Sequence, residues 1–273
     1  MTEFVVFTDM DGTLLDHHTY SMDAAIPMLN RLKQLGIPVI PNTSKTYAEM
    51  RVLRETLGLD GPFCVENGAA IHIPHGFFEQ KPPGTQWQDD HWVHQFCSRK
   101  HYWTNLLRQV KERYPDSFVG FSDMSLDDIV AATGLSPAQA ALAAQRQYGE
   151  PVLWRGSEQQ KQQFMDDLRQ NGATPLQGGR FIHVSGDCNK GQALRWFMQE
   201  WRRQYPHKPC RSIALGDGNN DIAMLQAADV AIRILSPVNP PPTVQGHPHC
   251  LTSTLEGPAG WNEMLTQLLE QQV

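Results

Sequence analysis

The chain has no excess of basic residues, no apolar run long enough to cross a membrane, and no closely paired cysteines. Its 23 Lys and Arg stand against 29 Asp and Glu, a net charge of -6, which argues against nonspecific binding to the phosphate backbone of DNA or RNA. A small anionic substrate stays compatible with that balance, because a local cation can reverse the field inside a cleft. The five cysteines, Cys64, Cys97, Cys188, Cys210 and Cys250, are scattered and form no C-x-x-C pair. Neither a disulfide framework nor a structural zinc site is expected, and a reducing, cytoplasmic location is the simplest reading. The residues leading to Asp9 hold no basic segment followed by an apolar one, so secretion and membrane anchoring are not expected. Gly and Pro are too sparse for extended disorder, and 273 residues suffice for a sizeable core and two domains.

What is present begins with alternation. Residues 3–8 read as a buried strand, and Met22 to Leu35 as a helix with Ser21 or Asp23 near its start and Gly36 as its stop. A strand over residues 37–40, a helix from Tyr47 to Leu57 and a strand Phe63-Cys64-Val65 come next, closed by the turn Glu66-Asn67-Gly68. Cys64 reads as a buried residue. After residue 190 the same grammar resumes: a helix from Lys190 through Trp201, a strand at Ser212–Leu215, a short helix, a strand at Val230, and a terminal helix from Trp261 to Leu269. The prolines at 237–242 read as a surface loop. Such alternation predicts an α/β fold with a mostly parallel, Rossmann-like sheet, whose chemistry gathers beyond the carboxyl ends of the strands.

The middle differs. Pro82-Pro83-Gly84 reads as a boundary, succeeded by helices from Tyr102 to Tyr114 and from Ser125 and Ser136, and strands at Pro151–Trp154 and Arg180–Val184. The expected division is a core of residues 1–81 and 185–273 around a separate inserted α+β domain of residues 82–184. His91, Trp92, His94 and His101 lie in this stretch without the companion ligands that would make a metal box, and its tryptophans read as packing residues.

Two carboxylates one residue apart, Asp9 and Asp11, stand at the end of the first buried strand in Asp9-Met10-Asp11-Gly12-Thr13. Aspartate is costly in a core unless it is paired, so the pair points to a cation, a reacting group or both. Alone, it also reads as a turn or a calcium-binding fragment. Thr43 alone is a strand-end hydroxyl, Lys190 alone a solvated lysine, and Gly216 through Asp221 a capped turn. Their occurrence together, in order and at strand ends, changes the reading.

Asp9-x-Asp11-Gly12-Thr13, Thr43, Lys190-Gly191 and Gly216-Asp217-Gly218-x-Asn220-Asp221 together resemble the haloacid dehalogenase-like phosphatases, and the long insert resembles their type IIB cap. Asn42-Thr43-Ser44-Lys45-Thr46, Glu66-Asn67-Gly68 and Gly179-Arg180-Phe181-x-His183 narrow the resemblance to the mannosyl-3-phosphoglycerate phosphatases. The resemblance implies Asp9 as a nucleophile that forms an aspartyl-phosphate, and Asp11 as the acid and base. It implies Mg²⁺ held by the Asp9 side chain, the Asp11 carbonyl, Asp217 and Asp221, the last directly or through water. Thr43, shared with Ser44, is the implied phosphate donor, Lys190 the fixed positive charge, and Asn220 an orienting group. Lys45, Glu66, Arg180 and His183 are the candidate substrate contacts. Arg180 matches a carboxylate's two oxygens, yet it also suits a surface pair. His183, Lys45 and Glu66 have equally ordinary structural readings. The substrate implied is a small phosphorylated sugar acid. The alternatives are another sugar phosphate, or binding of a phosphometabolite without catalysis.

Overall fold

The computed structural model describes residues 3–177 and 180–270. In chain order the elements begin with β1 (Glu3–Thr8), α1 (Ile26–Gln34), β2 (Val39–Pro41), α2 (Tyr47–Leu57), β3 (Phe63–Val65) and β4 (Ala70–Pro74). Next come β5 (Gln86–Gln88), β6 (His91–Gln95), α3 (Lys100–Lys111), β7 (Phe118–Gly120), α4 (Leu126–Thr133), α5 (Pro137–Ala143) and β8 (Glu150–Trp154). Then come α6 (Glu158–Gln170), β9 (Leu176–Gln177), β10 (Phe181–Val184), α7 (Lys190–Gln204) and β11 (Cys210–Gly216). The last are α8 (Ile222–Ala227), β12 (Val230–Leu235), β13 (Cys250–Glu256) and α9 (Gly257–Glu270). No helix among the described residues is long and apolar enough to cross a membrane.

The chain divides into two compact units. The first holds residues up to Ser44, Leu59–His94 and the chain from Asn189 onward, and the second holds Lys45–Gly58 and Gln95–Cys188. Residues 82–94 therefore group with the first unit and α2 with the second, whereas the Pro82-Pro83-Gly84 turn is where the sequence suggested a boundary.

The first unit is built on a five-stranded parallel sheet of order β13-β12-β11-β1-β2. β1 lies near its centre, and Val5, Val6 and Phe7 have no exposed surface, as a strand covered on both faces requires. Successive residues of a strand point to opposite faces, and the packing obeys that rule. Phe7 meets Phe197 of α7 edge-on at 5.6 Å, while Thr8 receives a hydrogen bond from the buried Trp261 indole of α9. β3 joins the end of β2 through a parallel bridge between Asn42 and Cys64, then leads a second sheet of order β3-β4-β6-β5. The hairpin between β5 and β6 turns on Asp89 and Asp90, both at positive φ. That is the two-residue turn normally written with Asn or Gly.

The second unit has a four-stranded antiparallel sheet of order β7-β8-β10-β9. Ile182 and Val184 of β10 join the cluster formed by Trp103, Leu107, Phe164 and Leu168 of α3 and α6. Phe181, one residue out of phase, packs instead with Phe121, Ile129 and Ala140, so α4 and α5 serve the other face. The helices α2, α4, α5 and α6 each open with a capping box, begun by Thr46, Ser125, Ser136 and Ser157. The first of these caps also donates its hydroxyl to the Leu142 carbonyl at 3.0 Å, tying α2 to the end of α5.

Three expectations shift in detail. The helix expected from Met22 begins as a 3-10 turn at Asp23–Ala25, and α1 proper starts at Ile26 with proline in its first turn. The strand expected at 37–40 runs over Val39–Pro41, because Pro38 offers no amide hydrogen to the ladder. The helix expected from Tyr102 starts two residues earlier, at Lys100, and ends at Lys111.

Candidate active site

The carboxyl ends of β11, β1 and β2 are neighbours in the sheet, so the loops leaving these three strands lie side by side. After β1 the chain turns sharply: the Leu15 and Thr13 amides return to the Met10 carbonyl, and Gly12 sits at φ +80°. A Cβ on Gly12 would stand 2.6 Å from an Asp217 carboxylate oxygen, so the turn and the acid after β11 need each other's space. Thr13 donates its hydroxyl to Asp217 Oδ1 at 3.2 Å. At the end of β2, the Asn42 amide bonds to the Thr8 carbonyl, which holds the chain just before Thr43 against the end of β1.

Lys190 is the centre of the arrangement. It begins α7 immediately after the N-cap Asn189, and its side chain is wholly buried. Its Nζ donates to Asp9 Oδ1 and to Asp221 Oδ1, each at 2.6 Å. Burial pulls the ammonium's pKa down, but Asp221 and Asp9 outweigh it, and the net shift is upward. Lys190 is therefore a cation near neutral pH. Asp221 Oδ2 accepts from the backbone amides of Asp217 and Gly218, which seals the turn after β11. Gly216 has no room for a side chain, since a Cβ would lie 2.5 Å from Asp221 Cβ.

Asp9, Asp217 and Asp221 are buried, and each offers an oxygen within 4.8 Å of the others. Desolvation, and then the charge of Asp9, raise the pKa of both Asp217 and Asp221. Three carboxylates against one lysine leave a concentrated negative charge at a place where water is largely excluded. Hard oxygen donors at that density fit a divalent cation. Asp11, half-buried, is outside this trio of side chains.

The other expected residues fall in different places. Thr43 and Glu66 are buried in the first unit, with Ser44 half-buried at its boundary. Glu66 is in the left-handed region at φ +48°. Asn220 is exposed and donates its side-chain amide to Asn67 Oδ1 at 3.2 Å. Lys45, Arg180 and His183 belong to the second unit. Arg180 is exposed and donates to the Ala132 carbonyl at 2.8 Å. Burial, and then the positive charge of Arg146, lower the His183 pKa to about 4, so its ring is neutral near pH 7. Gly179 of the Gly-Arg-Phe-x-His pattern lies outside the described residues. Cys64 is buried and its thiol is pushed strongly upward by desolvation, which removes it as a nucleophile.

Sequence reading missed the supports. Asn42 donates its side-chain amide to the Lys190 carbonyl at 2.9 Å, fixing the start of α7 from the end of β2. Thr13 and Asn67 act similarly on Asp217 and Asn220. Thr13 closes the first motif, and Asn42 and Asn67 stand in two of the stretches that narrow the resemblance, but the sequence assigned none of them a supporting role.

The family model for haloacid dehalogenase-like hydrolases matches residues 6–82 and 151–235. A glucosyl-3-phosphoglycerate/mannosyl-3-phosphoglycerate phosphatase of Methanococcoides burtonii is 33% identical over 270 residues, covering 97% of each chain. A protein of the same description from Persephonella marina is 34% identical over 273 residues, covering 98% of this chain and 97% of its own. A solved subclass IIB sugar phosphatase, 14% identical, superposes with a TM-score of 0.62 over 98% of this chain and 99% of its own, a likeness of fold. The chain belongs to the haloacid dehalogenase-like hydrolase family, with an α/β core and a type IIB α+β cap. Family and carboxylate cluster together support phosphatase chemistry on a small phosphorylated metabolite by way of an aspartyl-phosphate.

Proposed function

We propose that this protein is a Mg²⁺-dependent phosphomonoesterase that converts mannosyl-3-phosphoglycerate, or its glucosyl counterpart, to the glycosylglycerate and phosphate. The observation that carries the catalytic part is the buried Lys190 joined to both Asp9 and Asp221, with Asp217 in the same cluster. The substrate rests on the descriptions of the two relatives about one-third identical over nearly the whole chain.

In this reading the Asp9 carboxylate attacks phosphorus as the bond from phosphorus to the glycerate oxygen breaks. Asp11 gives its proton to the departing alkoxide. Water then attacks the same phosphorus, Asp11 takes up a proton from it, and the bond to Asp9 breaks, restoring the carboxylate and releasing phosphate. Lys190 holds Asp9 oriented throughout, and Thr43 with Ser44 binds the phosphoryl oxygens. The side chains of Asp9, Asp217 and Asp221 and the Asp11 carbonyl would hold Mg²⁺. When bound, the ion supplies positive charge that offsets repulsion between the phosphate and the carboxylates. Asn220 orients the acidic turn. Lys45, Glu66, Arg180 and His183 select the substrate, with the guanidinium suited to the glycerate carboxylate and the neutral His183 to a hydroxyl. The catalytic core is assigned to residues 1–81 and 185–273 and the cap to 82–184, with the enzyme acting in the cytoplasm.

The test is phosphate release from a panel of phosphometabolites, with and without Mg²⁺. The expected result is metal-dependent turnover with the highest kcat/KM on a glycosyl-3-phosphoglycerate. Much better turnover of an unrelated phosphate would overturn the substrate, and metal-dependent binding of the panel without turnover would overturn the catalytic reading.

A further inference from the structure

The turn between β3 and β4 has three successive residues in the left-handed region: Glu66 at φ +48°, Asn67 at +60° and Gly68 at +82°. Left-handed backbone is uncommon for residues other than glycine, and strain of this kind persists only where the surroundings impose it. The surroundings here are three segments of the candidate active site. The Asn67 amide donates to the Thr43 carbonyl at 2.8 Å. Its side-chain oxygen accepts from Asn220 at 3.2 Å. Gly68 lies so close to the start of α7 that a Cβ would stand 2.5 Å from the Asn189 carbonyl oxygen and 2.9 Å from Lys190 Cα. Those are backbone atoms, and they cannot swing aside as a flexible side chain would.

We infer that this turn is a clamp, with Asn67 and Gly68 as positioning residues that set the phosphate-side Thr43, Lys190 and the Asp217–Asp221 turn in register. The inference deepens the phosphatase reading and rests on it for the meaning of the loops. The contacts that define the clamp are independent of it. Asn67 is not assigned to any reacting group. It acts through Thr43 and Asn220, and Gly68 acts through the position of Lys190.

Two substitutions separate the parts. Gly68→Ala forces the start of α7 to move and can compromise folding. Asn67→Gly tolerates positive φ, keeps the amide bond to Thr43 and removes only the side-chain link to Asn220. For Asn67→Gly the expected result is a fall in kcat of about tenfold with KM within about twofold, because misplacement of a catalytic group costs rate. Combined with Asn220→Ala, the loss should be no greater than in the more affected single variant, as for two ends of one contact. Amide hydrogen exchange supplies a readout independent of turnover. Faster exchange over residues 217–221 in Asn67→Gly, at unchanged melting temperature, is expected. Unchanged exchange there overturns the clamp even if the wild type proves to have no phosphatase activity. Multiplicative losses in the double variant overturn it as well. A wild type inactive on every phosphate tested, with the exchange difference present, would instead count against the phosphatase reading alone.

Discussion

In the first unit Lys190 lies wholly buried between Asp9 and Asp221, with Asp217 close by, whereas in the second unit the buried Glu150 is held by hydrogen bonds from Ser122. Its two carboxylate oxygens accept from the amide and hydroxyl of that serine, at 2.7 and 3.0 Å, and desolvation still raises its pKa. Glu150 ties a strand to the turn after its neighbouring strand, as one hydrogen-bonded acid can. The Lys190 cluster gathers three acids around one base, an arrangement that folding alone does not favour, because mutual repulsion and lost hydration both oppose it. Buried charge in excess of structural need marks the first unit as the place of chemistry. The second unit invests in apolar clusters and helix caps.

The largest effect should come from Lys190→Met. Removing the base leaves three carboxylates within 4.8 Å of one another, and breaking a buried charge pair costs about 3–5 kcal/mol. Stability by urea unfolding should fall by that order, and phosphate release should fall by about 10²–10³-fold, the scale for loss of one preorganised charge partner. Mg²⁺ should raise the melting temperature of the variant more than that of the wild type, since a cation bound to the folded state offsets the same repulsion. A variant as stable as wild type and indifferent to Mg²⁺ would mean that the carboxylates do not share a cation site.

The counterpart in the second unit is Phe164→Ala. Phe164 has no exposed surface and sits among Tyr114, Phe118 and Trp154, with ring centroids 5.4, 4.9 and 5.1 Å away. Truncating a buried phenylalanine costs about 3–5 kcal/mol. The loss should register as faster amide exchange in α3, α6 and β7–β10, with the parallel sheet of the first unit protected as before. Equal loss of protection in β1 and β11 would show that the two units unfold as one, and would remove the contrast between them.

The same contrast explains how much was legible in the sequence. Asp9, Thr43 and Asp217 come after strands that the apolar runs made visible, and a parallel sheet gathers such ends without further information. Lys190 was visible as the start of an apolar-periodic helix. The supporting roles of Asn42, Thr13 and Asn67 were not, because their partners lie 148, 204 and 153 residues away and no local pattern records such pairings. The β5–β6 hairpin escaped because its turn is Asp89-Asp90, without the usual glycine. β13 and α6 also went unread. In α6 only Phe164, Met165 and Leu168 are buried in thirteen residues, too thin a stripe among its glutamines for periodicity to announce.

A stronger signal for α6 was present at its start. Ser157 accepts from the Gln160 amide, and the Gln160 side chain accepts from both the Ser157 amide and hydroxyl. This reciprocal pairing satisfies backbone donors that the first turn of a helix leaves open. Because so little apolar surface holds α6, its cap should matter more than the cap of a helix with a broad buried face. Ser157→Ala should cost about 1 kcal/mol, within the usual range for loss of an N-cap, and Ser157→Asp should recover most of it. The comparison is Asn189→Ala at the start of α7, a fifteen-residue helix with eight buried positions. There the tertiary packing already fixes the helix, so the cap's contribution to unfolding free energy should be smaller, while the placement of Lys190 makes activity the more sensitive measure. Urea midpoints for the three variants decide the matter. A larger stability loss at Asn189 than at Ser157 would show that caps contribute most where burial is deepest, the reverse of the order expected from the thin buried stripe of α6.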